Sequence, residues 1–174
     1  MNEMTLIKNF LPNSQSLFEI LKTNIEWDER MKARLTASFG AAYNYSQITY
    51  PDKPMPEQIE ILCDKINDRF GFKPNNCLIN FYPNGDSTMG FHSDQIDILA
   101  ENTGVAIISL GDTRILRFRK IENRDETFDY ELPSGSLIYM PQEIQKIFQH
   151  SIPKSNTANG RMSLTFRKIR KFIA

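Results

Sequence analysis

The hydrophobic rhythm of the chain changes near Pro74. Before it, apolar positions recur at helical spacing: Leu17, Phe18, Leu21 and Ile25 follow a start signal at Pro12, Asn13 and Ser14. The spacing predicts an amphipathic helix running up to Trp27. A second helix is expected beyond Pro51, Pro54 and Pro56, with Ile59, Leu62, Ile66 and Phe70 on one face and Gly71 ending it. Between the helices, Arg34 to Tyr50 is β-branched and aromatic with Gly40 as punctuation. It reads as two short strands or as a strand and an ordered loop.

After Pro74 the period shortens to two. Runs at 77–82, 87–92, 104–110, 114–119, 127–132, 136–140, 147–152 and 161–168 read as strands separated by Gly, Pro, Asn and Asp turns. So many short strands in so little chain predict a closed sandwich or jelly roll. The expected class is therefore α+β and mainly β, with two helices buttressing one sheet while the other sheet lines a pocket. No internal repeat, low-complexity tract or linker divides the sequence. Residues 1–174 are expected to form one domain, with the helices and the aromatic segment in 1–75 and the strand-rich core in 76–170.

Composition excludes more than it suggests. With 174 residues the chain is long enough to bury a core without disulfides or a structural metal. Its 21 Lys and Arg balance 21 Asp and Glu, so no global field argues for nucleic acid or membrane, and any basic patch has to be local. Cys63 and Cys77 belong to no Cys-x-x-Cys pair and read as reduced packing residues. The N-terminus lacks a basic segment followed by an apolar run, and nowhere do about eighteen apolar residues run together. A cytoplasmic, soluble protein with no membrane partner is expected.

The candidate chemistry lies in two histidines, the only ones in the chain. In an extended segment residues i and i+2 share a face, so His92 and Asp94 present an imidazole and a carboxylate side by side. His150 is the remaining candidate ligand and is expected on another strand. Taken singly, such a histidine is an ordinary core or surface residue. Two histidines and one carboxylate on one face of an octahedron, with the other face open, are what non-haem Fe(II) oxygenases use. Zinc accepts the same ligands, but a hydrolytic zinc site wants a general base and a water nearby.

The C-terminal strand tips the balance toward iron. Arg161 and Arg167 fall on one face of it, with Cα atoms roughly 20 Å apart at strand rise. Their long side chains can converge on a small dicarboxylate, and an arginine fork suits a carboxylate. Each arginine alone reads as surface charge on an edge strand. Asn80 and Tyr82, also two apart, read on their own as an ordinary strand face.

An ordered set of short pieces then goes further: Asn80-Phe81-Tyr82, His92-Ser93-Asp94, Ser109-Leu110-Gly111, Arg117-Phe118-Arg119, Gln149 through Lys154, and Arg161 through Arg167. In this order they resemble the AlkB-like iron- and 2-oxoglutarate-dependent dioxygenases, which reverse alkyl damage on nucleic-acid bases. The resemblance covers most of residues 34–168. It implies a double-stranded β-helix, or jelly roll, and assigns His92, Asp94 and His150 to Fe(II). It places Asn80 and Tyr82 on 2-oxoglutarate, Arg161 on the distal carboxylate of that cosubstrate, and Arg167 near the end that chelates iron. Ser163 stands where the family often has Asn, so one cosubstrate contact is expected to be weaker or water-mediated.

The implied reaction is oxidative. Dioxygen and 2-oxoglutarate give succinate and CO2 while an N-alkyl carbon is hydroxylated and leaves as formaldehyde. The expected substrate is a 1-methyladenine or 3-methylcytosine type of lesion in DNA or RNA, preferably single-stranded, handled by a monomer. A base must leave its stack to reach such an iron, which calls for aromatic or apolar walls and phosphate contacts at the rim. Arg34 to Ser46 resembles the nucleotide-recognition region of the family. Tyr43 and Tyr45 are candidate stacking residues there, although aromatic strands are commonly core. Arg114, Arg117, Arg119 and Lys120, and Lys168, Arg170 and Lys171, are candidate phosphate contacts, although short basic runs are commonly solvated faces.

Several family members carry acidic residues directly after the metal-binding Asp, whereas this chain has Gln95 and Ile96. Gln95 can donate and accept hydrogen bonds but brings no charge attraction to a cationic ring. An oxygenase of the same fold acting on a protein or small molecule, and a metal-free jelly-roll binding module, are the rival readings.

Overall fold

A computed structural model describes residues 3–170. In chain order the elements are β1 (Thr5–Ile7), α1 (Ser14–Asn24), β2 (Leu35–Gly40), β3 (Tyr43–Tyr45), β4 (Ile48–Tyr50), α2 (Glu57–Phe70), β5 (Asn76–Tyr82), β6 (Met89–His92), β7 (Val105–Gly111), β8 (Arg114–Lys120), β9 (Thr127–Leu132), β10 (Leu137–Met140), α3 (Ile144–Ile147), β11 (Phe148–Ile152) and β12 (Arg161–Arg167). A six-stranded sheet in the order β1-β10-β7-β12-β5-β2 faces a four-stranded sheet in the order β6-β11-β8-β9, and β3 and β4 form a separate hairpin. This is the expected jelly roll.

Period-two alternation on the large sheet divides the interior in two. From β5, β7 and β12, the side chains of Cys77, Ile79, Phe81, Ala106, Ile108, Leu110, Met162, Leu164 and Phe166 join one core with Phe18 and Leu21 of α1 and Ile59, Leu62, Cys63 and Ile66 of α2. Each such side chain, fully buried, contributes about 1.5–3 kcal/mol. The intervening residues point between the sheets. There Ile107, Leu116, Phe118, Leu132, Ile138 and Ile152 form a second core, while Asn80, Tyr82, Arg161, Ser163, Thr165 and Arg167 form a polar band. Both faces of these central strands are covered, which is why β5 and β12 are buried at every position.

The helices end as their sequences dictate. Gly71 closes α2 with a left-handed φ of 81°, and its N–H reaches the carbonyl of Asn67. Helix α1 stops earlier than expected, because Ile25 is extended. Trp27 lies beyond the helix, donates its indole N–H to the Lys22 carbonyl at 3.3 Å, and sets its ring edge-on to Phe81.

Three elements went unread. Arg34–Tyr50 holds three strands, because β3 and β4 turn at Ser46 and Gln47, both with positive φ. That backbone usually calls for Asn-Gly or Asp-Gly, so the turn carried no local signal. Strand β1 and the single turn of α3 are too short for a periodic pattern.

Candidate active site

Strand β6 ends at His92, and Ser93 and Asp94 follow outside the strand. His150 sits in the middle of β11 directly opposite His92 in the antiparallel register. The three side chains therefore meet across two neighbouring strands. His92 Nε2 is 3.2 Å and His150 Nε2 3.5 Å from Asp94 Oδ1, and the three ligand atoms lie within 4.8 Å of one another.

Several contacts hold this geometry. His92 Nδ1 lies 3.1 Å from the Gly90 carbonyl, which can only accept, so a proton on Nδ1 suits this contact and leaves Nε2, the nitrogen that faces Asp94, as the atom that could ligate a metal. Two imidazole nitrogens and a carboxylate oxygen gathered this closely are a donor set that a divalent iron fits. Gln145 accepts the Asp94 backbone N–H through Oε1 at 2.8 Å, and the Ser93 hydroxyl donates to the Phe148 carbonyl at 2.8 Å. Arg167 donates Nη2 to Asp94 Oδ2 at 3.0 Å, with each side chain 4% exposed. Burial alone would raise the Asp94 pKa, but Arg167 and the two imidazoles hold it well below its usual value of 3.8.

Behind the triad lies a narrow cavity lined by Asn80, Tyr82, Arg161, Ser163, Thr165 and Arg167, with apolar walls from Leu78, Ile107, Leu116, Leu132 and Ile152. Register explains the band, since Arg161 pairs with Tyr82 and Ser163 lies between Asn80 and Ser109. Arg161 donates Nη2 to Ser109 Oγ at 2.8 Å and lies 5.4 Å from the Tyr82 ring centroid. Among the described residues its Nε and Nη1 have no hydrogen-bond partner, and neither do Nε and Nη1 of Arg167. Among the described residues no carboxylate pairs with Arg161, and burial pulls its pKa down to about 10, so it stays charged at neutral pH. A buried guanidinium with idle donors fits an anionic ligand such as a carboxylate.

In front of the triad an open cleft is lined by Arg30, Arg34, Tyr43, Asn44, Tyr45, Gln47, Phe91 and Gln95 among others. Tyr45, Met89, His92 and Asp94 border both the cleft and the inner cavity. Tyr43 stacks near Tyr45 at a centroid distance of 6.4 Å and lies beneath the Arg167 guanidinium at 4.7 Å. Tyr45 accepts a hydrogen bond from Arg34, and burial pushes its phenol up to about 12. Gln95 is exposed at the rim.

The basic candidates fare differently. Arg114 is no phosphate contact: it is 1% exposed and donates to the carbonyls of Asn84, Ser87 and Pro153. Arg117 is forked onto Asp129, and Lys120 pairs with Glu126. Arg119 does not enter the cleft. It bonds Gln149 and lies 4.0 Å from the Phe91 ring centroid in a neighbouring surface depression. Lys168 and Arg170 are exposed, and Lys171 lies outside the described residues.

Arg34 and Gln145 are buried site residues that sequence reasoning gave no role. Each acts through single hydrogen bonds to residues distant in sequence, a relation that leaves no local pattern.

The sequence profile of the 2OG-Fe(II) oxygenase superfamily matches residues 19–167. Alpha-ketoglutarate-dependent dioxygenase alkB homolog 3 of Bos taurus is 29% identical over 179 residues, covering 91% of this chain and 63% of that protein. The Homo sapiens alkB homolog 3 is 30% identical over 173 residues, covering 88% of this chain and 60% of that protein. DNA oxidative demethylase ALKBH2 of Mus musculus is 30% identical over 138 residues, covering 75% of this chain and 58% of that protein. This chain thus spans roughly three fifths of the length of these curated relatives. The solved structure of OsALKBH1 superposes with a TM-score of 0.73 at 17% identity, covering 97% of this chain and 99% of that one, a likeness of fold. The profile match, the relatives and the fold agree that the chain belongs to the 2OG-Fe(II) oxygenase superfamily, in its AlkB-like branch, whose members use Fe(II), 2-oxoglutarate and dioxygen.

Proposed function

We propose that this protein removes alkyl groups oxidatively from N-alkylated bases of the 1-methyladenine or 3-methylcytosine type in nucleic acid, preferring single strands. The observation that carries this reading is the meeting of two cavities at one triad: a buried one ending on the unpartnered donors of Arg161, and an open one walled by Tyr43 and Tyr45. The name of the mouse relative, DNA oxidative demethylase ALKBH2, points the same way.

In this reading His92, Asp94 and His150 hold the iron. Arg161 receives the distal carboxylate of 2-oxoglutarate, and Asn80, Tyr82, Ser163 and Arg167 line its length. When bound, the iron and 2-oxoglutarate supply the oxidation by O2, in which succinate and CO2 form and the N-alkyl carbon gains a hydroxyl. The resulting hemiaminal releases formaldehyde and a proton and returns the ring nitrogen of the base to its unalkylated form with a free lone pair. The chain does the rest. Arg167 keeps Asp94 ionised as a ligand, the Gly90 carbonyl offers His92 Nδ1 an acceptor that orients the ring with Nε2 toward the iron position, and Leu78, Ile107, Leu116, Leu132 and Ile152 exclude water from the reacting centre. A base flipped from its stack enters the cleft against Tyr43 and Tyr45 with Gln95 at the rim.

The test is mass analysis of a methylated single-stranded oligonucleotide after incubation with iron, 2-oxoglutarate and air. Loss of the methyl group, absent with His150→Ala, is expected. An unchanged oligonucleotide together with turnover on a peptide or metabolite would instead establish the rival oxygenase.

A further inference from the structure

Arg34 lies just before β2, 8% exposed, and donates in three directions: Nε to Asn80 Oδ1 at 2.8 Å, Nη1 to the Thr88 carbonyl at 2.9 Å, and Nη2 to the Tyr45 hydroxyl. All three partners are uncharged. A guanidinium has donors and no acceptor, so whatever faces it must present a lone pair. The amide of Asn80 is the informative partner. It has one oxygen and one NH2 group on opposite sides, and Arg34 claims the oxygen.

We propose that Arg34 is a positioning residue for the cosubstrate cavity: by binding Asn80 Oδ1 it turns the Asn80 NH2 into the cavity as a hydrogen-bond donor. This rests on the reading that 2-oxoglutarate occupies that cavity. Asn80 lines the cavity, whereas Arg34 lines only the outer cleft, so the amide stands between them with its polarity decided from outside. Every oxygen of 2-oxoglutarate accepts hydrogen bonds, so a donor at Asn80 is complementary and an acceptor would repel. The remainder of the network has matching polarity. With Arg34 donating to Tyr45, the Tyr45 hydrogen is left for Met89 Sδ at 3.7 Å, and Tyr82 donates to the same sulfur at 3.8 Å. Arg34 thereby joins the β3–β4 hairpin in front of the triad to the strand that floors the cavity behind it.

The experiment is calorimetric titration of 2-oxoglutarate into Mn(II)-loaded protein, a readout independent of turnover, on Asn80→Ala, Arg34→Gln and the double variant. Each single change is expected to weaken binding on the order of tenfold, and the double variant to bind no more weakly than Asn80→Ala alone. Multiplying losses in the double variant would show that Arg34 acts independently of Asn80 and would overturn the proposal. If Asn80→Ala binds as wild type, the cosubstrate reading of the cavity fails and the proposal with it. If Asn80→Ala weakens binding while Arg34→Gln does not, the proposal alone fails. Asn80→Asp keeps an acceptor for Arg34 but offers the cavity a second acceptor, so it is expected to stay folded and lose 2-oxoglutarate binding even if Arg34→Gln does not fold. Tight binding by Asn80→Asp would contradict the inference.

Discussion

Arg167 and Asp94 stand 73 residues apart in sequence and meet at 3.0 Å with both side chains shut off from solvent. Removing one partner strands the other charge, so Arg167→Met is expected to lose about 3–5 kcal/mol in metal-free protein at neutral pH. The sign with pH follows from the depressed Asp94 pKa. A carboxyl held below its unfolded value of 3.8 stabilises the fold above that pH and stops doing so as pH falls through its folded value. Urea unfolding at a series of pH values should therefore show the gap between wild type and Arg167→Met narrowing below about pH 4. A constant gap would assign the loss to packing alone.

Arg161 carries a buried charge with no carboxylate partner among the described residues, so Arg161→Met is expected to be as stable as wild type, or more so, without ligand. Adding 2-oxoglutarate to about a hundred times its Kd should stabilise the Mn(II) form of wild type by about 2.7 kcal/mol and leave Arg161→Met unmoved. Thermal unfolding with and without ligand measures both.

Gln145 fixes Asp94 through its backbone N–H and touches no other ligand of the triad. Gln145→Ala is expected to weaken Mn(II) binding by about tenfold or more while His92→Ala and His150→Ala abolish it. Titration followed by electron paramagnetic resonance separates the two classes.

What was legible in the sequence was what repeats. The strands after Pro74 announced themselves because each is a short β-branched, aromatic or apolar run bounded by Gly, Pro, Asn or Asp, and the triad was found because the chain has only two histidines and one of them lies two residues from an aspartate. Arg161, Ser163 and Arg167 were legible because β12 places them on one face. Arg34 and Gln145 were not, since nothing in their neighbours says what they reach. The β3–β4 turn was missed because Ser46 and Gln47 adopt a backbone that sequence preference assigns to other residues. Arg114 was misread for the opposite reason: in a basic run it resembles surface charge, yet the strand turns it inward onto backbone carbonyls.

Cys63 and Cys77 are fully buried, and burial pushes the Cys63 thiol up to about 12 and the Cys77 thiol well above its ordinary value. With almost no thiolate at pH 8, neither is expected to react with iodoacetamide until denaturant is added. Rapid labelling of the native protein would show that this core opens.

The central claim is that oxidation of 2-oxoglutarate at the His92, Asp94 and His150 site is coupled to an alkylated base in the cleft. Succinate and formaldehyde release, measured together with a methylated and an unmethylated single-stranded oligonucleotide of the same sequence, tests it most directly. Equal amounts of the two products with the methylated strand, and neither product above background with the unmethylated one, is the predicted result. Succinate release that ignores methylation, with no formaldehyde from either strand, would contradict it.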